Sequence, residues 1–228
     1  MSRSYGIDLT RYHKLIVGEG ESDRNFFAAF CANAGLSDFD YAFAASGFSS
    51  FVHYLSGLPQ LAGFPDLADL VLVCDSTDNS RKRLTELHEQ IRNANKRLGS
   101  KVYEEKPAEN TVSKGGALRL HVLMVPTGGV GGIESVCFNV ARDALDAAGH
   151  DGKTKEGWVN TFANSACVGW TTEQRDKLKL QALISAASPR MPEMHFSQIF
   201  DMTGNHFIPL DGPAFGQIKK FLEDVAAL

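Results

Sequence analysis

Four short apolar runs, each handing over to a polar turn and then to a helical pattern, constrain this chain more than any other feature. They are Leu15-Ile16-Val17, the alternating Phe39, Tyr41 and Phe43, Leu70-Val71-Leu72-Val73-Cys74, and His121-Val122-Leu123-Met124-Val125. Runs this short and this apolar fit strands buried on both faces, as in a parallel sheet. Between them Phe26, Phe27, Phe30, Cys31 and Ala34, then Phe51, Val52 and Leu55, then Leu84, Leu87, Ile91, Ala94 and Leu98 recur at helical spacing. The alternation predicts an α/β fold, an open and mainly parallel sheet flanked by helices, because each helical crossover returns the chain in the same direction. Gly35 and Gly99 stand where the first and third helices should stop, since glycine enters the left-handed conformation without a Cβ penalty.

A parallel sheet gathers the carboxyl ends of its strands at one edge, where open α/β sheets bind their ligands. Acids collect at those ends. Glu19 follows the first run within Gly-Glu-Gly-Glu-Ser-Asp, which ends at Asp23. Asp75 and Asp78 follow the third run within Asp-Ser-Thr-Asp-Asn, and Glu134 follows the fourth after a glycine-rich turn. At an effective dielectric of about 20, two like charges ~4 Å apart repel by roughly 4 kcal/mol, so such a cluster persists most easily around a divalent cation. All-oxygen ligands point to Mg²⁺ or Mn²⁺ in preference to zinc. For Asp75 and Asp78 alone, capping the next helix is an equally good role. Gly18 and Gly20 do not make a dinucleotide fingerprint, because Asp23 stands where a third glycine belongs and acids repel a pyrophosphate. The glycines before Glu134 lack the lysine and hydroxyl of a P-loop.

With 43% hydrophobic and 22% charged residues, the 228-residue chain has the balance of a soluble globular protein and is long enough for one core with a substantial extension. Beyond Gly149 the alternation stops. Helices are expected over residues 158–168, 172–187 and 215–227, separated by Pro189, Pro192, Pro209 and Pro213. The expected organisation is an α/β core over residues 1–148 and a helical C-terminal extension, 149–228, packed on it. A net charge of −4 disfavours a surface of uniformly positive field, so contact with nucleic acid would use a local patch or metal ions. Arg81, Lys82, Arg83, Arg92, Lys96 and Arg97 form the outward face of the third helix and are expected to be solvated. Residues 100–120 lose all periodicity and are expected to be an exposed loop or irregular hairpin. The four cysteines form no zinc-type pair, the seven histidines no metal-ligand pair, and no run is long enough to cross a bilayer. With no leader pattern at the N-terminus, a reducing cytoplasm is the expected setting.

The order Leu-Ile-Val-Gly-Glu-Gly-Glu-Ser-Asp, an apolar strand ending Asp-Ser-Thr-Asp-Asn, and Val-Pro-Thr-Gly-Gly-Val-Gly-Gly-Ile-Glu resembles a Toprim domain. That fold is shared by topoisomerases, DnaG-type primases and the overcoming-lysogenisation-defect nucleases. The chain is more closely similar to a family of bacterial Toprim-like proteins, with the similarity extending to the run His206-Phe-Ile-Pro-Leu-Asp-Gly-Pro-Ala-Phe near the C-terminus. The resemblance implies that Glu19 acts as general acid or base or as a metal ligand, and that Asp75 and Glu134 bind Mg²⁺ or Mn²⁺, with Asp23 a secondary candidate. Thr77 stands where the family carries its second aspartate, a departure that Asp78 would have to make good. The implied activity is metal-dependent phosphoryl transfer on DNA or RNA, most simply phosphodiester hydrolysis. Two rivals stand beside it: a scaffold that binds nucleic acid or a protein partner without chemistry, and a hydrolase of a small phosphoester.

Overall fold

A computed structural model describes residues 7–44, 47–187, 195–200 and 208–228. Ala45, Ser46, Pro189, Pro192 and His206 lie outside the described residues. Strands β1 (Lys14–Gly18), β2 (Phe39–Phe43), β3 (Asp69–Asp75) and β4 (Arg119–Val125) form one sheet in the order β2-β1-β3-β4, with every pair parallel. Between and after them come helices α1 (Glu21–Ala34), α2 (Phe51–Gly57), α3 (Ser80–Leu98), α4 (Ile133–Ala147), α5 (Gly152–Ala166), α6 (Thr172–Ala187), α7 (Phe196–Ile199) and α8 (Gly216–Ala226). The architecture is the α/β fold with a parallel sheet that the alternation predicts. Gly35 and Gly99 both close their helices in the left-handed conformation.

Side-chain alternation along the strands builds two cores, one on each face of the sheet. Ile16, Val71, Val73, Leu123 and Val125 point to one face and meet Phe26, Phe27 and Phe30 of α1, Cys137 and Ala141 of α4, Leu180, Leu183 and Ile184 of α6, and Phe221 and Leu222 of α8. Leu15, Val17, Leu70, Leu72, Cys74, Val122 and Met124 point to the other and meet Phe51 and Leu55 of α2 and Leu87 and Ile91 of α3. Residues from the 149–228 segment therefore complete the core of the first face. Among the described residues no helix is long and apolar enough to cross a membrane.

Residues 100–118 are irregular and in good part exposed, as the loss of periodicity predicts, but they do not hang free. They are bound down over α3 and along the outer edge of β4. The Asn95 side chain of α3 accepts from the backbone of Val102 (3.0 Å) and Tyr103 (2.9 Å) and donates to the Tyr103 carbonyl, while the Tyr103 hydroxyl donates to Leu55. Further on, the Asn110 amide donates to the Val122 carbonyl at 2.7 Å, the Asn110 side chain accepts from Met124, and Ser113 donates to His121 Nδ1. Backbone groups of an edge strand must be covered or left open to a foreign strand. This strap covers them without regular strand geometry, which explains why no periodicity announces it.

At the opposite end of the sheet, buried Asp69 is held by both nitrogens of an Arg119 fork (2.7 Å each) and by His121 Nε2 at 2.9 Å. Lys14 lies 3.7 Å from the same carboxylate and donates to the carbonyls of Val225 and Ala226, which ties the end of α8 to β1. Because Ser113 donates to Nδ1, the His121 proton is on Nε2, facing Asp69.

Candidate functional site

The sheet order places a topological switch between β1 and β3: α1 carries the chain from β1 to β2 on one side, and β3 pairs with β1 on the other. A crevice opens at such a point in an open α/β sheet. Glu19, one residue beyond β1, reaches across it and accepts from the Asp75 amide at 3.0 Å. Asp75 closes β3 on the face of Val71 and Val73, and its Oδ1 accepts from the amide of Ile133, the first residue of α4, at 3.3 Å. Glu134 is the next residue on that helix. Asp23, in the first turn of α1, accepts from the Gly20 amide at 2.8 Å and so caps its own helix from within. Glu19, Asp23, Asp75 and Glu134 are all buried.

Two backbone devices bring these ends together. Ser76 donates from its amide to Val125 and from its hydroxyl to Pro126, and Thr77 and Gly131 exchange hydrogen bonds of 2.7 and 2.8 Å. The turn after β3 is thereby laced to the glycine-rich turn after β4. Thr77 adopts a left-handed φ of 50°, uncommon for a β-branched residue, and Gly131 has a φ of 107°. Gly132 is required by proximity: a Cβ there would lie 2.5 Å from Asp75 Oδ1.

Burial is the first cause that raises the pKa of each of the four carboxyls, and their mutual repulsion adds to it. Glu19 and Glu134 are both pushed up to about 7, against the coulombic pull of Arg83 on the first and Lys177 on the second. Asp23 is raised, and Asp75, which feels Asp23, Glu134, Glu19 and Glu173, is raised well above the usual carboxylate range.

Arg83 is where periodicity misleads. Expected on the solvated face of α3, it turns to the site, gives Glu19 Oε1 and Oε2 bonds of 2.9 and 2.7 Å, and lies 3.4 Å over the Phe48 ring. Glu173 and Lys177 of α6 complete the site, and nothing local in the sequence marks them. Lys177 sits 2.5 Å from Glu173 and 3.9 Å from Glu134, and although burial opposes its charge, these acids hold it protonated. Asp78 is exposed and lines a cavity of about 340 Å³ with Lys82, Arg83, Thr171 and Glu173, apart from the buried four. Neither Asp75 nor Asp78 caps α3: Asn79 does so, accepting from the Lys82 amide at 2.9 Å.

Among the described residues, no three His, Cys, Asp or Glu side chains stand together closely enough to hold a metal ion unaided. Two observations nonetheless fit a hard divalent cation. The donors are carboxylate oxygens throughout, and Glu134 Oε2 is buried without any hydrogen-bond partner. Beside Glu134 a cavity of about 450 Å³ opens between α1, α6 and α7, lined by Glu21, Ser22, Lys177, Gln181 and His195.

No protein-family model and no curated protein matches the chain. Two solved structures resemble it, both of the C-terminal region of the Xanthomonas campestris pv. campestris OLD protein, one phased with mercury and one with iodine. Each has a TM-score of 0.38 and 12% identity, covering 95% of this chain and 97% and 96% of theirs.

Proposed function

We propose that the protein is a divalent-metal-dependent phosphoryl-transfer enzyme acting on nucleic acid, most simply a phosphodiester hydrolase. The observation that carries this is Glu134 Oε2, an acceptor buried without a hydrogen-bond partner one residue from the Ile133 amide that binds Asp75. An orphaned buried oxygen costs about 1–3 kcal/mol, a penalty that a bound cation would remove. The Toprim resemblance of the same three turns supports the choice of chemistry. Asp75 and Glu134 would hold Mg²⁺ or Mn²⁺, which when bound supplies charge stabilisation to a phosphoryl oxygen.

The protein's own groups divide the remaining work. Glu19, with its pKa near 7, is poised to take or give a proton at neutral pH, and Arg83 Nη2, which donates to both of its carboxylate oxygens, fixes its orientation. Asp23 anchors the first turn of α1 under Gly18 and adds negative charge beneath the crevice. Lys177 neutralises Glu134 and Glu173 and has to yield part of that role when a cation enters.

One observation favours the rival of a scaffold without chemistry: Arg83 and Lys177 already answer much of the negative charge. Calorimetric titration with Mn²⁺, together with cleavage assays on single- and double-stranded DNA and RNA, separates the two. Wild type is expected to bind the ion and cleave, Asp75→Asn to lose the heat of binding, and Glu19→Gln to keep binding but lose cleavage at least a hundredfold. Equal heats from wild type and Asp75→Asn, or cleavage that persists in Glu19→Gln, would sink the assignment.

A further inference from the structure

Outside the acid site, the largest apolar exposure among the described residues lies on α5 and the turn after it. Trp158 is 68% exposed, Phe162 53%, Val168 82% and Trp170 45%. The inward side of the same helix is satisfied, with Val159, Ala163 and Cys167 buried against the protein, so these rings are not core side chains caught out of place. The chain has two tryptophans, and both are here.

We infer that the outward face of α5 and the turn that follows form a stacking platform for single-stranded nucleic acid, leading into the acid site. This rests on the nucleic-acid reading above and names the form of the substrate. Four features choose this occupant. First, the platform is continuous with the site: Trp170 adjoins Thr171, which lines one cavity with Arg83 and Glu173, and Glu173 acts electrostatically on Asp75. Second, residues 157–172 include no Asp, Glu, Lys or Arg, only rings and small residues among amides and hydroxyls. On a chain of net charge −4 the stretch itself offers a phosphate backbone no carboxylate, the nearest in sequence being Glu156 and Glu173 at its two ends.

Third, cations stand among acids at both ends of the uncharged stretch. Lys153 and Lys155 lie at the start of α5 with Glu156, and Lys82 and Arg83 line the cavity of Thr171 together with Asp78, Glu86 and Glu173. Fourth, the spacing suits an unstacked strand. Trp158 and Phe162, one helical turn apart, are offset along the helix by about 6 Å, whereas bases in a duplex strand stack ~3.4 Å apart and hide their faces. Each ring can take a base only from a strand that is open and stretched, and such stacking tolerates any sequence.

Both tryptophans being in the platform, intrinsic emission reports on it directly. The full-length protein, free of divalent ions so that cleavage cannot intervene, is titrated with an oligothymidylate and with a duplex. Saturable quenching by the single strand and little by the duplex is expected. Phe162→Ala, which keeps both reporters and removes an exposed ring, should weaken binding about tenfold with an unchanged far-ultraviolet spectrum. Trp158→Phe should bind more tightly than Trp158→Ala. Absence of quenching, or equal quenching by both nucleic acids, overturns the proposal. So does emission that changes only with protein concentration, together with a dimer in sedimentation that Phe162→Ala abolishes, because the face would then pair with a second copy. Metal-dependent cleavage on the same preparations keeps the two readings apart. Cleavage of a duplex without single-strand binding removes the platform alone, and single-strand binding without cleavage removes the enzyme alone.

Discussion

Glu19 and Glu134 are most comfortable protonated, because burial and neighbouring acids lift both from a reference value of 4.5 to about 7. In the interval between these values the folded state binds more protons than the unfolded state, so stability falls as pH rises. The stabilisation is fully present below about 4.5 and is lost as pH climbs through about 7. Thermal unfolding at about pH 6 and about pH 8 should therefore give the lower midpoint at the higher pH, and Glu134→Gln, which cannot ionise, should flatten that difference. Added Mn²⁺ at the higher pH should recover the loss in wild type but not in Asp75→Asn. A midpoint that rises with pH across this interval would show that burial does not hold Glu19 and Glu134 protonated.

At the scale of elements, the strands, the first three helices and the C-caps at Gly35 and Gly99 follow from local pattern, and the described structure agrees with them. The strap over residues 100–118 does not, since its order comes from single bonds to α3 and β4 and from no repeating periodicity. Asn95 is its main clasp. Asn95→Ala leaves the buried Tyr103 amide without an acceptor and takes a donor from the Tyr103 carbonyl, while the Val102 amide keeps the Ser100 carbonyl, and should destabilise the protein by about 1–3 kcal/mol. Limited proteolysis should then cut within residues 100–118 sooner than in wild type. A variant as resistant as wild type would mean that the β4 contacts at Asn110 and Ser113 hold the strap alone. Arg83 teaches the same lesson in reverse: its neighbours in sequence are solvated, but Glu19 and the Phe48 ring capture its guanidinium at the helix start.

For the whole molecule, the segment after Gly149 supplies much of one core, with Leu180, Leu183, Ile184, Phe215, Phe221 and Leu222 meeting the sheet and α1. The protein is therefore expected to unfold in one transition, with tryptophan emission, which reports on α5 and its turn, coincident with far-ultraviolet circular dichroism. Leu183→Ala, at a fully buried position, should lower stability by about 2–5 kcal/mol and shift both probes together. Two separated transitions would instead make residues 149–228 an independent unit.

Local pattern sets the parallel α/β architecture, the strand ends at which Glu19 and Asp75 stand, and the helix start after β4 that carries Glu134. Strand burial and helix periodicity are local patterns, and a parallel sheet must collect its strand ends at one edge. How that edge is charged depends on the docking of helices far apart in the chain. Asp23 turns under the crevice because Gly18 leaves room for its side chain, and Asp78, equally acidic and three residues from Asp75, stays in solvent. Arg83, Glu173 and Lys177 enter from helices whose sequences show no sign of it, since a side chain's partners across the fold depend on how helices dock and not on spacing along the chain. The exposed rings of Trp158 and Phe162 belong with them: they fall within an expected helix, and only the burial of Val159 and Ala163 on the opposite face shows which side was left to solvent.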